Sequence, residues 1–241
     1  MRLGKLETRY IFEVELMNQI DQPIVVENIK KGSSSVRIFV STLEKPLIFP
    51  ISKLEFLELE EGQEMTPEQL RQIREESEIF ECEAKTASLL ANRDYSIGDL
   101  KRKLKFKKFG VQAIREAVHK YQTKGILDDK KYAAKVAGRL IREKPSGKHF
   151  LIAALQKKLI PRDLAEETVE SIFQNEDIIA LAVEALSKRW RQFGQFELEA
   201  ARTKSYNYLS RRGFSYSAAK EAFTKLWEEQ FGVDENEVRI Y

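Results

Sequence analysis

Ten consecutive residues, Leu100-Lys101-Arg102-Lys103-Leu104-Lys105-Phe106-Lys107-Lys108-Phe109, hold six Lys/Arg and no acid. Wound into a helix, this stretch turns Leu100 and Leu104 to one face, with Lys103 and Lys107 near its edge. Lys101, Lys105 and Lys108 share another face at i, i+4 and i+7, where stacked like charges cost a few tenths of a kcal/mol each. No neighbouring acid offsets that cost, which favours a bound polyanion or acidic protein over the plainer reading of a solvated helix face. Matching bases recur downstream as Lys157-Lys158 and Arg211-Arg212. The candidate binding residues are therefore Lys101, Arg102, Lys105, Lys107, Lys108, Lys157, Lys158, Arg211 and Arg212. Of the nearby aromatics, Phe109, Tyr121, Tyr208, Phe214 and Tyr216 suit a core, while Phe106 and Tyr206 are placed to lie off it and could stack on nucleic-acid bases.

Catalytic chemistry finds no such cluster. His119 and His149 are far apart in sequence, have no cysteine beside them and lack the HExxH spacing of a zinc helix. There is no G-x-S-x-G elbow, P-loop or dinucleotide-binding glycine turn. Gly32-Ser33-Ser34-Ser35 lacks the Gly-Lys of a phosphate loop and reads as a hairpin turn. Cys82 sits between Glu81 and Glu83, whose charges would raise its pKa rather than activate it. The expectation is no catalytic residue, no metal and no cofactor.

The whole chain is 241 residues with 42% apolar and 33% charged composition, enough for a core and long exposed helix faces. No stretch reaches the roughly 18 apolar residues of a membrane span. Met1-Arg2-Leu3-Gly4-Lys5 leads into Glu7 and Arg9 with no apolar run, unlike a signal peptide. With a single cysteine, no intramolecular disulfide forms, and the cytoplasm is the expected location. The net charge of +3 hides an asymmetry. Residues 1–80 hold 10 Lys/Arg against 15 Asp/Glu, and residues 93–124 hold 10 against 3.

The elements that must position the bases follow from pattern. Residues 8–15, 24–26, 36–40 and 47–49 are rich in aromatic and β-branched residues and read as short strands of a small antiparallel sheet. Thr66 as N-cap and Pro67 at N1 start a short acidic helix. From about Ile79 onward only helical patterns appear, with Pro145 and Pro161 at helix starts. This part repeats. Leu104, Leu155 and Leu209 are equivalents at offsets of 51 and 54, each followed three residues later by a base and five residues later by a large apolar residue. Three such units of about fifty residues read as a helical array packed neighbour on neighbour. Within the first unit, Ser96 and Asp99 read as a capping box for a helix Asp99–Lys108. Val111–Gln122 forms the next helix, closed by Gly125, and Asp128 and Asp129 open the one after.

Three strings in this array resemble the RecX family, regulators of the RecA recombinase. They are Tyr95-Ser96-Ile97-Gly98-Asp99-Leu100-Lys101-Arg102-Lys103-Leu104, Gly125-Ile126-Leu127-Asp128-Asp129-Lys130-Lys131-Tyr132-Ala133 and Arg211-Arg212-Gly213-Phe214-Ser215-Tyr216. Pro145-Ser146-Gly147 with Leu151 and Leu155 resembles the family's second unit. The resemblance covers about residues 80–230, and more loosely 5–75. It implies a mainly α fold of three tandem three-helix units in an elongated, curved array, with a small N-terminal antiparallel β segment. The implied divisions are residues 1–78, 79–126, 127–175 and 176–241. It further implies a monomer without catalysis that binds the RecA–DNA filament, and single-stranded DNA weakly, and lowers RecA's strand-exchange and ATPase activity. A stand-alone nucleic-acid-binding helical-repeat protein is the alternative. The family usually has glycine where this chain has Lys108 and Leu159. A helix-ending glycine takes positive φ, so these ends must close differently or at about 1 kcal/mol of cost.

Overall fold

The computed structural model of the chain describes residues 23–53 and 57–232. The strand expected at residues 8–15 lies outside them. Four strands, β1 (Ile24–Lys31), β2 (Ser35–Val40), β3 (Leu47–Pro50) and β4 (Glu64–Met65), form an antiparallel sheet in the order β3-β2-β1-β4. Gly32 N donates to Ser35 O at 2.8 Å and closes the β1–β2 hairpin where the glycine-serine run predicts it. Alternate residues Val26, Val36, Ile38 and Phe49 are fully buried on one face, the period-2 signature of a half-covered sheet.

Helix α1 (Pro67–Asn92) covers that face with Leu70 and Ile73. Thr66 and Gln69 make a reciprocal capping box, Gln69 N donating to Thr66 Oγ1 at 3.2 Å and Thr66 N to Gln69 Oε1 at 2.8 Å. The short helix expected here in fact runs unbroken for 26 residues, through the division expected at residue 78. No Gly or Pro interrupts it. Its inward residues Ser77 and Thr86 are polar, which blurs the apolar period. Ser77 has a use for its hydroxyl: it accepts from Ile48 N at 2.7 Å and donates to Ile48 O at 3.2 Å. That covers part of the open edge of β3, where unpaired backbone groups would otherwise be bare.

Among the described residues eight further helices follow: α2 (Ile97–Phe106), α3 (Val111–Thr123), α4 (Asp129–Glu143), α5 (Lys148–Lys157), α6 (Arg162–Phe173), α7 (Ile178–Phe193), α8 (Leu198–Arg211) and α9 (Tyr216–Phe231). Among the described residues past 66 there is no strand. The fold is mainly α with a small N-terminal antiparallel sheet. The expected helix at Asp99 begins two residues earlier, at Ile97. Pro145 lies two residues before the N-cap of α5, Gly147, rather than in its first turn.

The chain divides into two units. One holds the sheet, α1 and Lys101–Lys124; the other holds Asp94–Leu100 and the described residues from Gly125 onward. In the first unit α3 packs on the later part of α1. Glu78 on α1 reaches the bare N-terminus of α3, whose N-cap is Gly110, and Gly110 N donates to its carboxylate at 2.6 Å. That negative charge sits well against the helix dipole. Lys120 pairs with Glu83. In the second unit one continuous apolar core runs from Ala133 to Leu226.

Candidate polyanion interface

Three helices end on the same turn. At α2, Lys108 N donates to Lys105 O at 2.9 Å and Phe109 N to Leu104 O at 3.4 Å. At α5, Leu159 N donates to Gln156 O at 2.8 Å and Ile160 N to Leu155 O at 3.2 Å. At α8, Gly213 N donates to Ser210 O at 2.8 Å and Phe214 N to Leu209 O at 3.1 Å. This is a Schellman turn, and its apolar contact joins the residue five after to the leucine. The repeated Leu, base and large apolar residue of the sequence is the imprint of that turn. Its left-handed residue is Lys108 at φ 70°, Leu159 at φ 59° and Gly213 at φ 79°. Lys108 and Leu159 thus keep the glycine conformation and bear its cost, about 1–2 kcal/mol.

The turn also fixes the base that ends each helix. Leu100, Leu104, Leu151, Leu155 and Leu209 are wholly buried, so the helix faces are those the sequence predicts. On α2 every residue from Lys101 to Lys108 except Leu104 is exposed. Lys101, Lys103, Lys105, Lys107 and Lys108 make no ion pair among the described residues. Ser96 starts the helix, accepting from Asp99 N at 3.0 Å, and Asp129 accepts from Ile97 N at 2.8 Å. Both oxygens satisfy donors that a helix start leaves open.

In the second unit, Lys157 and Arg211 are exposed and Lys158 is half-buried. Arg211 donates to Asn207 O at 3.1 Å. Arg212 is tied down. Its Nε donates to Pro145 O at 3.1 Å, its Nη2 reaches the same oxygen, and its guanidinium lies 5.7 Å from the Phe150 ring centre. Gly147 N donates to Arg212 O at 2.8 Å. A side chain at Gly147 would meet Gly213 O at 2.1 Å, and one at Gly213 would meet Phe150 N at 2.2 Å. The same joint recurs one repeat earlier. Ser96 Oγ donates to Lys158 O, and a side chain at Gly98 would meet Leu159 O at 2.7 Å. Sequence reasoning singled out Arg212 as a binding base but missed its joint partners. Their only local signal is a small residue before the leucine pair of the first two repeats.

Phe106 is 81% exposed, off the core as expected. Tyr206 is not: it packs at 5.9 Å from Phe223 and 5.3 Å from Tyr216, and burial, then Tyr216, pushes its hydroxyl pKa up. Cys82 is buried with its thiol pushed up to about 12, first by burial, then by Glu78, with Glu83 a smaller cause. Its neighbour Glu81, expected to contribute, does not figure. Among the described residues no group of three His, Cys, Asp or Glu could hold a metal, and no helix is long and apolar enough to cross a membrane.

Comparison with known proteins points one way. The family model described as RecX, third three-helix domain, matches residues 175–223, which take in α7, α8 and the first half of α9. The regulatory protein RecX of Pelodictyon phaeoclathratiforme is 30% identical over 138 residues, 57% of this chain and 84% of that protein. The regulatory protein RecX of Chlorobium phaeobacteroides is 27% identical over 139 residues, 58% and 89%. A solved regulatory protein RecX superposes with a TM-score of 0.66 over 82% of this chain and 97% of its own, at 20% identity. RecX from Lactobacillus salivarius does so at 0.56, over 62% and 96%, at 18% identity.

Proposed function

The chain belongs to the RecX family, and on that premise we propose that it regulates the RecA recombinase, binding the RecA–DNA filament and lowering its strand-exchange and ATPase activity. The observation that carries this reading is α2, which buries only a leucine seam and leaves Lys101, Lys105, Lys107 and Lys108 exposed without an ion pair among the described residues. Arg102 lies on the same helix. Such a face suits the phosphates of a nucleoprotein filament, and cations held this way exchange counterions for phosphates. Lys157, Lys158 and Arg211 are additional contact points on the second unit. Arg212 acts by holding Pro145 rather than by direct contact. The protein works as a cytoplasmic monomer, without a cofactor and without catalysis of its own.

A second reading has one point in its favour: a face of bare cations fits naked DNA as well as a filament. In that case the chain is a stand-alone nucleic-acid-binding helical-repeat protein. Fluorescence anisotropy with labelled single-stranded DNA, naked or coated with the cognate RecA, separates the two. Filament regulation requires tighter binding to the coated strand. Equal or weaker binding there favours the second reading.

A further inference from the structure

We propose that Phe106 is a base-stacking residue that makes the basic face of α2 select single-stranded over double-stranded nucleic acid. The proposal rests on the reading of α2 as a phosphate-binding face and names the partner of that face.

Phe106 is the most exposed large apolar residue among those described, at 81%. Folding offers no reason for a phenylalanine there, since its ring is left in water. The other exposed rings among the described residues lean on a neighbour. Phe231 lies 4.3 Å from Trp227, Tyr216 lies 5.3 Å from Tyr206, and Lys204 covers Phe196 at 4.6 Å. Phe106 has no ring or cation contact of this kind among the described residues. Its surroundings on the helix surface are cationic. Arg102 and Lys103 lie one turn back at i−4 and i−3, and Lys105 and Lys107 flank it in sequence.

The chemistry of that combination discriminates among partners. An acidic protein surface would be matched by the lysines alone and has no use for a bare ring. A duplex offers phosphates but keeps its base faces stacked inside. A single strand offers both phosphates and free base faces, and aromatic stacking on a base tolerates any sequence. A ring among cations is therefore complementary to a single strand.

The test uses the full chain and measures anisotropy with a labelled single strand, naked and RecA-coated, and with the same sequence as a duplex. Phe106→Ala and Phe106→Leu should each weaken single-strand binding about 5- to 100-fold and change duplex binding by less than about twofold. Phe106→Trp should restore the affinity, and its added fluorescence should be quenched by the bound strand. Substitution at so exposed a position leaves the fold intact, which circular dichroism checks. The proposal is overturned if Phe106→Leu binds like the wild type, if Phe106→Ala weakens both substrates alike, or if it weakens binding only to RecA-coated DNA. The last outcome would make Phe106 a protein contact. Charge reversal at Lys101, Lys105 and Lys108 tells the two failures apart. If it weakens both substrates while Phe106→Ala does nothing, the phosphate face stands and the stacking falls. If it weakens neither, the phosphate face itself falls.

Discussion

At the end of α2 the terminal base is Lys107, exposed and without an ion pair among the described residues; at the end of α8 it is Arg212, with its guanidinium on Pro145 and Phe150. The two helices share their buried leucine, their Schellman turn and their following phenylalanine. They differ in what the turn is given to do. The α8 turn is a socket: Gly213 and Gly147 let two backbones approach so closely that neither tolerates a side chain. At α2 the left-handed residue is a lysine, and the turn serves to end a cationic helix. Equivalent positions in a repeat thus share a backbone solution, while the side chain at each is free to hold a joint or to face a partner.

Gly213→Ala attacks the socket side of that comparison and should have the largest effect. Overpacking against Phe150 and a positive φ together should cost about 3–5 kcal/mol, read as a lowered denaturant midpoint. A loss under about 1 kcal/mol would mean that the socket is loose. Leu104→Ala, Leu155→Ala or Leu209→Ala should each cost about 2–5 kcal/mol, since each leaves a cavity at a wholly buried site. A surface-like cost at Leu104 alone would show that the α2 seam is less rigid than its counterparts.

At α2 the sign reverses. Lys108→Gly should stabilise by about 0.5–1 kcal/mol, because left-handed strain is relieved and only part of the gain is lost to the freer unfolded chain. Thermal melting that shows destabilisation instead would mean that the Lys108 side chain earns its strain through packing.

Much of this was legible in the sequence. The leucine period, Asp128 as a cap, Gly125 at positive φ and the hairpin at Gly32 are local, and each carries its own signature. The joint was not legible, because Ser96 and Gly147 meet partners more than sixty residues away and nothing near them marks the approach. The length of α1 was hidden for a different reason. The charge balance changes near residue 80, but the backbone has no breaker there, and Ser77 faces inward to serve β3. At the candidate site the exposed bases and Phe106 followed from helical spacing. The restraint of Arg212 did not, since Pro145 is remote in sequence.

Asp128 gives a pH-dependent effect of similar size in the second unit. Backbone hydrogen bonds from Lys131 and Lys130 hold its carboxyl below the usual aspartate range. Its stabilisation is complete above the unfolded value near 3.9 and is lost as pH falls through the lowered native value. Asp128→Ala should cost about 1 kcal/mol at neutral pH, and the difference from the wild type should shrink in acid. A difference that stays constant in acid would point to a role other than capping. The smallest effect belongs to the exposed bases. Lys101→Ala and Lys105→Ala should shift stability by less than about 0.5 kcal/mol, with any shift towards greater stability as like charges are relieved. A larger loss would place these side chains in packing and remove them from the free surface.

The central claim, that α2 presents a face for the RecA–DNA filament, is tested most directly by the DNA-dependent ATPase rate of the cognate RecA at physiological salt. It is measured alone, with the wild-type chain, and with a chain carrying Lys101→Glu, Lys105→Glu and Lys108→Glu. The account predicts that the wild type lowers the rate, and that the folded triple variant does so only at much higher concentration. Each phosphate contact removed should also flatten the slope of log affinity against log salt by about 0.7–0.9. A triple variant that inhibits as well as the wild type would contradict the account and leave the bases of α2 as a solvated helix face.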